Sequence, residues 1–453
     1  MFDALSRARW LAWPLALLLL AGAGLLAVGR WPHELQADDL GMIRAYPAWL
    51  RQQGLVFLFS GADGWSAADA RAARSFARRG YYVAGIDSAR FLAAADRSGD
   101  CLYLPAPLEA FSRAQQRAAG LRSYAEPLLL GRGAGASLVY MAQLQAPPLA
   151  FAAAVALDPE PRLPLSRSFC DHAAASSAAH ALTLAADAPG ANVPLRMLVS
   201  DRAAPAVAAF AAAVDHVPRR PAAGTPSLTQ TYTDALRAID AERPHDDVAD
   251  LPLVEVKPAQ ARGDALAILY SGDGGWRDLD QRLAGTLADK GMPVVGVDVL
   301  RYYWHVRAPP LAARDLARIM RHYQQAWHRD RVLLIGFSFG ANVLPFLYNR
   351  LPPDLRGDVQ LLTLLSPERR TAFEVDPRSW FGTESTAGQV DIAPELAALP
   401  AQRVLCIYGA DEAAASLCTL PAAVALRTLR KPGGHHFDED YDRLADDILA
   451  VAR

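Results

Sequence analysis

The chain has 453 residues, which is long for a single hydrophobic core, so its length predicts two domains. Its 46 lysines and arginines nearly balance 48 aspartates and glutamates, giving a formal net charge of −2. Because the basic residues form no long run, the charge pattern argues against nucleic acid as a direct partner.

The N-terminus has the pattern of a targeting segment. Arg7 and Arg9 precede an apolar run over residues 10–28, and Arg30 follows it. Positive charge before about 20 apolar residues is typical of a signal peptide or of a single membrane anchor with a cytoplasmic N-terminus. Small residues at 21–23 offer a cleavage site, but the run continues beyond them. We therefore favour an uncleaved anchor, with the rest of the chain exported.

Two parts of the chain repeat each other. Residues 54–65 hold an apolar run followed by Ser-Gly-Ala-Asp-Gly-Trp, and residues 265–276 hold an apolar run followed by Ser-Gly-Asp-Gly-Gly-Trp. The similarity extends to a later strand and turn, where residues 128–136 match residues 333–341. Such self-similarity indicates that one fold has been duplicated.

The domain boundaries follow from this repeat. We predict a signal peptide or anchor over 1–30, a degenerate α/β-hydrolase-like domain over 31–216, a linker over 217–250 and a second α/β-hydrolase domain over 251–453. Within the domains, short apolar strands alternate with helical segments. In the second domain the predicted strands are 265–270, 293–298, 331–335, 359–365, 403–408 and 424–429. That alternation predicts mostly parallel sheets covered on both faces.

The second domain contains a candidate nucleophile. A strand ending at Gly336 is followed by a sharp turn and a helix, and residues 336–340 form the pattern G-x-S-x-G. In this pattern the glycines relieve crowding, so that the serine oxygen stands clear of the sheet beside a helix N-terminus. Ser338 is therefore the candidate nucleophile, and a helix cap is its alternative role. Gly133 holds the same position in the first domain, which predicts a binding or structural module there.

Candidates for the acid and the base follow Ser338 in the chain order of α/β hydrolases. Asp411 and Glu412 come directly after one strand, and His435 and His436 come after the next. The carboxyl ends of parallel strands are where such sheets build their sites. We predict that Asp411 and His436 complete the triad, with Glu412 as a weaker substitute and His435 as the alternative base.

An oxyanion hole requires two backbone N–H donors aimed at the developing negative charge. We predict one donor at Phe339, directly after the nucleophile, and the other in the glycine-rich turn Gly272-Asp273-Gly274. A plain tight turn is the alternative for that loop. The sequence shows no metal cluster and no phosphate-binding loop, and no cofactor is expected.

The four cysteines fall two in each half, at Cys101, Cys170, Cys406 and Cys418. In an oxidising compartment they could form one bridge per half. Buried free thiols are the alternative.

Four segments of the second half resemble a known family. They are SGDGGW at 271–276, GFSFGANVLPFLYNRLP at 336–352, CIYGADE at 406–412 and GGHHFD at 433–438. In combination they resemble the VirJ/AcvB family of bacterial virulence proteins, and the two-copy layout is similar to AcvB-type members. The resemblance is looser in the first half.

The resemblance implies a periplasmic α/β-hydrolase-like protein that cleaves lysyl-phosphatidylglycerol at the inner-membrane surface. It also implies that Cys406 and Cys418 form a pair flanking Asp411. A cationic aminoacyl group calls for carboxylates near the pocket, for which Glu368, Asp278 and Asp273 are candidates. VirJ-type members are linked to type IV secretion, so components of that system are further candidate partners. The alternatives are an exported esterase or thioesterase with another substrate, and a non-catalytic adaptor.

Overall fold

The structure is a computed structural model. It describes residues 31–96, 101–121, 124–170, 177–178, 181–186, 194–214, 219–221, 227–241, 247–375 and 388–452. The apolar segment predicted as an anchor, residues 10–28, lies outside these ranges. Among the described residues, no helix combines the length and the apolarity needed to cross a membrane.

The chain divides into two compact units, Met1–Arg243 and Pro244–Arg453. This boundary differs from the predicted linker over 217–250, because helix Leu228–Ala241 belongs to the first unit. Tyr232 and Ile239 on this helix are buried, and Tyr232 packs in the core of the first unit. The linker prediction underestimated the apolar stripe along one face of the helix, which is what packs it against that core.

The first unit is an eight-stranded sheet with flanking helices. Its strands are β1 (His33–Ala37), β2 (Gly41–Tyr46), β3 (Gly54–Phe59), β4 (Tyr81–Ile86), β5 (Leu128–Arg132), β6 (Ala153–Leu157), β7 (Arg162–Leu163), β8 (Ser177–Ala178), β9 (Ala181–Thr183), β10 (Leu195–Val199) and β11 (Arg219–Pro221). Its helices are α1 (Ala67–Arg78), α2 (Ser88–Ala95), α3 (Pro105–Ala118), α4 (Ala134–Gln145), α5 (Pro205–Ala213) and α6 (Leu228–Ala241). The main sheet has the order β1-β2-β4-β3-β5-β6-β10-β11, and strands β7 to β9 form a small separate sheet.

The second unit is a seven-stranded sheet with flanking helices. Its strands are β12 (Leu253–Val256), β13 (Ala265–Tyr270), β14 (Val294–Val297), β15 (Arg331–Phe337), β16 (Val359–Leu365), β17 (Arg370–Thr371), β18 (Val390–Asp391), β19 (Val404–Gly409) and β20 (Arg427–Lys431). Its helices are α7 (Asp278–Asp289), α8 (Val299–Tyr302), α9 (Pro309–Trp327), α10 (Phe339–Asn349), α11 (Pro353–Asp358), α12 (Ala393–Ala397) and α13 (Tyr441–Ala452). The main sheet has the order β12-β14-β13-β15-β16-β19-β20, and strands β17 and β18 form a small separate sheet.

The two main sheets share one topology, apart from the extra strand β1 of the first unit. In each, one antiparallel strand (β2 or β12) precedes a run of parallel strands. Strands β3 and β13 are buried along their whole length, as expected for parallel strands covered on both faces. The α/β-hydrolase-like fold with mostly parallel sheets is therefore present in both units.

Each unit contains one disulfide bond. Cys101 is joined to Cys170 in the first unit, and Cys406 is joined to Cys418 in the second. The two cysteines of the second bond are 12 residues apart in the sequence, and the bond closes the loop between them. This loop carries the acid candidates Asp411 and Glu412.

Candidate active site

Ser338 lies in the sharp turn between β15 and α10. Its backbone angles, φ 51° and ψ −115°, fall in a region that residues other than glycine rarely adopt. A methyl group on Gly340 would overlap the backbone oxygen of Tyr270, and one on Gly336 would lie 2.6 Å from the carbonyl group of Gly340. Both glycines of the G-x-S-x-G pattern are therefore required by close backbone packing. This is the geometry of a nucleophile elbow.

His435 is paired with a carboxylate. Its Nδ1 atom lies 2.8 Å from Oε2 of Glu412. The two residues follow β20 and β19, which are parallel neighbours in the sheet. The hydroxyl of Ser366 donates to the backbone oxygen of His435 over 3.2 Å, which helps to fix the position of the histidine. An imidazole oriented by a carboxylate in this way can act as a general base.

The structure pairs different residues from those that we preferred in the sequence. Asp411 is exposed, and its backbone N–H donates to the oxygen of Gly433 over 3.1 Å. His436 is also exposed, and within the described residues it makes no hydrogen bond to Asp411. Both acids lie in a 3-10 turn over Ala410–Glu412, and of the two only Glu412 is hydrogen-bonded to a histidine among the described residues. The geometry therefore supports Glu412 and the alternative base, His435.

The pKa of His435 is raised above its ordinary value. Burial opposes the charged imidazolium and lowers the pKa, but the hydrogen bond and charge of Glu412 outweigh that effect, with the charges of Glu368 and Asp273 adding to it. Burial likewise raises the pKa of Glu412, but the hydrogen bond from His435 and the nearby hydroxyl of Ser366 lower it overall. The pair is thus biased towards a carboxylate facing an imidazole that accepts protons readily.

The ring of Phe337 lies close to both histidines and to the glycine-rich loop. Its centre lies 5.0 Å from that of His435 and 5.5 Å from that of His436. A methyl group on Gly272 would lie 3.3 Å from the Phe337 ring and 3.6 Å from Cβ of Ser338. The nucleophile, the histidines and the glycine-rich loop therefore surround a single aromatic side chain.

The glycine-rich loop is held by its own backbone. The N–H of Gly275 donates to the oxygen of Gly272, and the N–H of Gly340 donates to the oxygen of Ser271, each over 3.1 Å. The N–H of Gly272 acts on the carboxyl of Asp280, where it lowers the pKa, so it is a weaker candidate for an oxyanion donor than the N–H of Asp273. The predicted pair, Phe339 at the start of α10 and Asp273 in the loop, stays the candidate for the oxyanion hole. Gly274, the other predicted loop donor, lies at an exposed position.

Asp280 is a buried carboxyl that the sequence analysis did not single out. It is 3% exposed, and its Oδ1 atom has no hydrogen-bond partner among the described residues. Burial raises its pKa well above the ordinary value, and the charge of Asp298 adds to this, while N–H groups of Arg277 and Gly272 act in the opposite direction. Asp280 therefore favours the neutral form, and it ties the glycine-rich loop to the start of α7. The repeat offered a signal, because Asp69 holds the same position in the first unit.

The equivalent site in the first unit is occupied by an ion-pair network. Gly133 adopts φ 53° and ψ −126°, close to the angles of Ser338, but it has no side chain. Arg132, at the position of Phe337, binds both carboxylate oxygens of Asp69 over 2.9 and 2.8 Å and Asp63 over 2.8 Å. A methyl group on Gly133 would lie 3.0 Å from a carboxylate oxygen of Glu160. The first unit keeps the turn and lacks the nucleophile.

The structure separates the predicted substrate-binding carboxylates. Glu368 is exposed beside the site, where it accepts a hydrogen bond from the Asn342 side chain over 3.1 Å and acts through its charge on His435. Asp278 is exposed at the first position of α7, and its charge acts on Asp280 and Tyr441 instead. Glu368 thus lies close to the chemistry. No group of metal-binding side chains occurs within the part of the chain that the structure describes.

Comparison with protein families identifies the second unit. Residues 264–453 match the family model described as bacterial virulence protein (VirJ). This segment carries a VirJ family domain. The match is consistent with a VirJ/AcvB-like protein, and the VirJ domain contains Ser338, Glu412 and His435. A search of curated proteins gives no significant match to the chain.

Several solved structures resemble part of the chain. Proline iminopeptidase from Mycobacterium smegmatis is 15% identical, with a TM-score of 0.31 over 44% of this chain and 94% of its own. Est1E from Butyrivibrio proteoclasticus with ferulic acid bound is 11% identical, with a TM-score of 0.33 over 45% of this chain and 95% of its own. MenH from S. aureus is 13% identical, with a TM-score of 0.33 over 44% of this chain and 97% of its own.

Proposed function

We propose that the VirJ domain is a serine esterase in which Ser338 is the nucleophile, His435 the general base and Glu412 the acid that orients it. The observation that carries this proposal is the 2.8 Å contact between His435 and Glu412, next to the strained turn that presents Ser338. A serine hydroxyl is a weak nucleophile unless an adjacent base removes its proton. The VirJ domain holds both groups around the ring of Phe337.

In the first half of the reaction, the Ser338 oxygen attacks the ester carbonyl carbon. Nδ1 of His435 carries a proton donated to Glu412, which leaves the lone pair of Nε2 to accept the serine proton. The N–H groups of Phe339 and Asp273 stabilise the negative charge on the carbonyl oxygen. When the ester bond breaks, His435 returns the proton to the departing alcohol, and the acyl group stays on Ser338.

In the second half, water replaces the alcohol. His435 takes a proton from the water, whose oxygen attacks the acyl-enzyme carbonyl carbon. The bond to Ser338 breaks, the serine recovers its proton from His435, and the free acid leaves. No cofactor or metal enters either half of this mechanism.

The acidic groups around His435 favour a substrate with a cationic acyl group. Glu368 and Asp273 both act on His435 by their charge, and Glu412 adds a third carboxylate. A positively charged acyl group would be attracted to this end of the site. Together with the VirJ/AcvB resemblance, this supports an aminoacyl phospholipid, lysyl-phosphatidylglycerol, cleaved to lysine and phosphatidylglycerol on the periplasmic side of the inner membrane.

Lysine release from lysyl-phosphatidylglycerol by the purified full chain tests this proposal, with Ser338→Ala as the matched control. We expect release with the native chain and a loss of at least about 10³-fold with Ser338→Ala. If a neutral ester is cleaved and the lysyl lipid is not, the esterase stands and the lipid substrate is wrong. If Ser338→Ala is as active as the native chain, the serine mechanism is wrong. In cells, deletion and Ser338→Ala should both make the lysyl lipid accumulate.

A further inference from the structure

Three arginines form an exposed row on helix α1 of the first unit. Arg71, Arg74 and Arg78 are spaced so that they lie on one face of the helix, and all three are exposed. In the part of the chain that the structure describes, none of them makes an ion pair or a hydrogen bond. Together with Ser227 and Thr229, they line a cavity of about 520 Å³. Their charge is therefore available to a ligand.

This row is not a general property of the duplicated fold. In the second unit, helix α7 occupies the equivalent place, and Gly285 and Asp289 stand where the first unit has its second and third arginine. Arg282, at the first position, pairs with Glu439 over 3.1 Å. The second copy thus carries one arginine there, already paired with a neighbouring acid.

Large apolar side chains are exposed beside the end of the arginine row. Trp49 is 52% exposed and Leu50 is 73% exposed. The backbone N–H of Trp49 donates to the oxygen of Ala77 in the last turn of α1, over 3.0 Å, which holds this tip against the helix. Arg51 follows directly and is also exposed. Exposed apolar side chains therefore lie next to the end of the arginine row.

The residue before β1 and the residue after β2 lie at the same end of the β1–β2 hairpin, so the chain enters the first unit near the point where it leaves β2. Trp31 is 69% exposed and stands just before β1, whose first residue pairs with Ala45 near the end of β2. The chain leaves this end of β2 towards Trp49. In the sequence, the apolar run over 10–28 ends three residues before Trp31. In sequence, Trp31 therefore closely follows the segment that we predict to meet a membrane.

We propose that this surface docks on a lipid bilayer containing anionic phospholipids. We define it as the arginine–tryptophan face, formed by Arg71, Arg74 and Arg78 together with Trp49 and Leu50. Arginine binds phosphate oxygens through paired N–H groups, and an anionic leaflet attracts clustered basic residues. Tryptophan prefers the level of the lipid headgroups, where its ring is partly apolar and partly wet. This inference does not depend on the chemistry proposed for Ser338.

Hydroxyl-radical footprinting of the full chain in lipid nanodiscs tests the docking. Two disc compositions are compared, phosphatidylcholine alone and phosphatidylcholine mixed with phosphatidylglycerol. We expect oxidation of Trp49 and Leu50 to fall at least about threefold in the anionic discs relative to the neutral ones, because the arginines add attraction only there. Val306 and Val424 in the second unit are 72% and 88% exposed and provide the internal reference.

A charge-matched pair of variants separates this face from general attraction to anionic lipid. In the variant Arg71→Gln with Arg74→Gln and Arg78→Gln, oxidation of Trp49 and Leu50 should be equal in the two disc compositions. The control variant Arg90→Gln with Arg162→Gln and Arg202→Gln removes the same charge elsewhere on the first unit. It should still show less oxidation of Trp49 and Leu50 in the anionic discs. Equal oxidation of Trp49 in both discs for the native chain, or equal behaviour of the two variants, would overturn the proposal. Ester hydrolysis measured on the same samples reports separately on Ser338.

Discussion

His435 and His436 are neighbours in the chain with different surroundings. His435 is hydrogen-bonded to Glu412 and acted on by the charges of Glu368 and Asp273, whereas His436 is exposed. A general base needs its tautomer fixed and its proton affinity raised. Of these two histidines, only His435 has a carboxylate hydrogen-bond partner among the residues that the structure describes. The proposed chemistry therefore depends on the hydrogen bond between Glu412 and His435.

The raised pKa of His435 predicts the acid side of the pH–rate profile. The neutral imidazole is the active form, so kcat/KM should fall as the pH drops through a pKa above the ordinary histidine value of about 6.5. Glu412→Gln removes the charge that raises this pKa, so its acid limb should move to lower pH while the maximal rate falls. Hydrolysis of a soluble ester across pH measures both. An acid limb that stays in place in Glu412→Gln would separate Glu412 from the base.

Asp280 and Asp69 predict opposite responses to the same substitution. The pKa of Asp280 is raised, so the native chain should lose stability as pH rises above the ordinary aspartate pKa, and Asp280→Asn should remove that loss and be at least as stable as the native chain near pH 7. Asp69 is a charged partner of Arg132, so Asp69→Asn should cost about 3 kcal/mol. Urea unfolding of the full chain measures both. A loss of stability in Asp280→Asn near pH 7 would contradict a raised pKa for Asp280.

At the residue scale, local patterns in the sequence identified the nucleophile but not its partners. Ser338 could be predicted because the strand, the two glycines and the helix that present it are adjacent in the chain. The base could only be narrowed to His435 or His436, since their contacts depend on the path of a loop. Asp280 was missed because its role comes from burial against the loop at Gly272, which no local pattern records.

The loop between Cys406 and Cys418 is the element that positions the acid. The disulfide closes it, and Glu412 lies within it. Replacing both cysteines, as Cys406→Ala with Cys418→Ala, should cost about 3 kcal/mol of stability and should also reduce kcat, because the loop that holds Glu412 is less restrained. Ester hydrolysis and thermal unfolding of the variant measure the two effects.

The first unit supplies the control for this loop. Cys101→Ala with Cys170→Ala removes the other disulfide, which belongs to the unit that lacks the proposed nucleophile. It should lower stability and leave kcat unchanged. Equal losses of kcat in both double variants would contradict a positioning role for the loop.

Elements with strong local patterns agreed with prediction, and elements set by distant contacts did not. The buried strands around Ser338 were predicted within one or two residues because apolar runs flanked by turn residues define them. The last strand, predicted over 424–429, forms at Arg427–Lys431, because a 3-10 turn occupies Pro421–Ala423. The helix inside the predicted linker is stabilised by packing on the sheet of the first unit, which its composition does not show.

The whole molecule contains one fold twice, with the proposed chemistry in the second copy. The first unit keeps the strained turn at Gly133 but fills the surrounding space with Arg132 and its acidic partners. We therefore predict that Gly133→Ser, combined with Ser338→Ala, gives no ester hydrolysis above background. The charged groups described around Gly133 are Arg132 and carboxylates, and none of them is a general base like His435. Recovery of activity in the combined variant would show that the first unit holds a dormant site.

Covalent labelling by a fluorophosphonate, followed by mass spectrometry of the peptides, tests the central claim most directly. The account predicts one adduct, on Ser338, that forms rapidly in the native chain. The rate should fall by about 10²-fold or more in His435→Asn and stay within about threefold of native in His436→Asn, because a positioned base contributes on that scale. An adduct on another residue, or labelling that depends on His436 and not on His435, would contradict the proposed site.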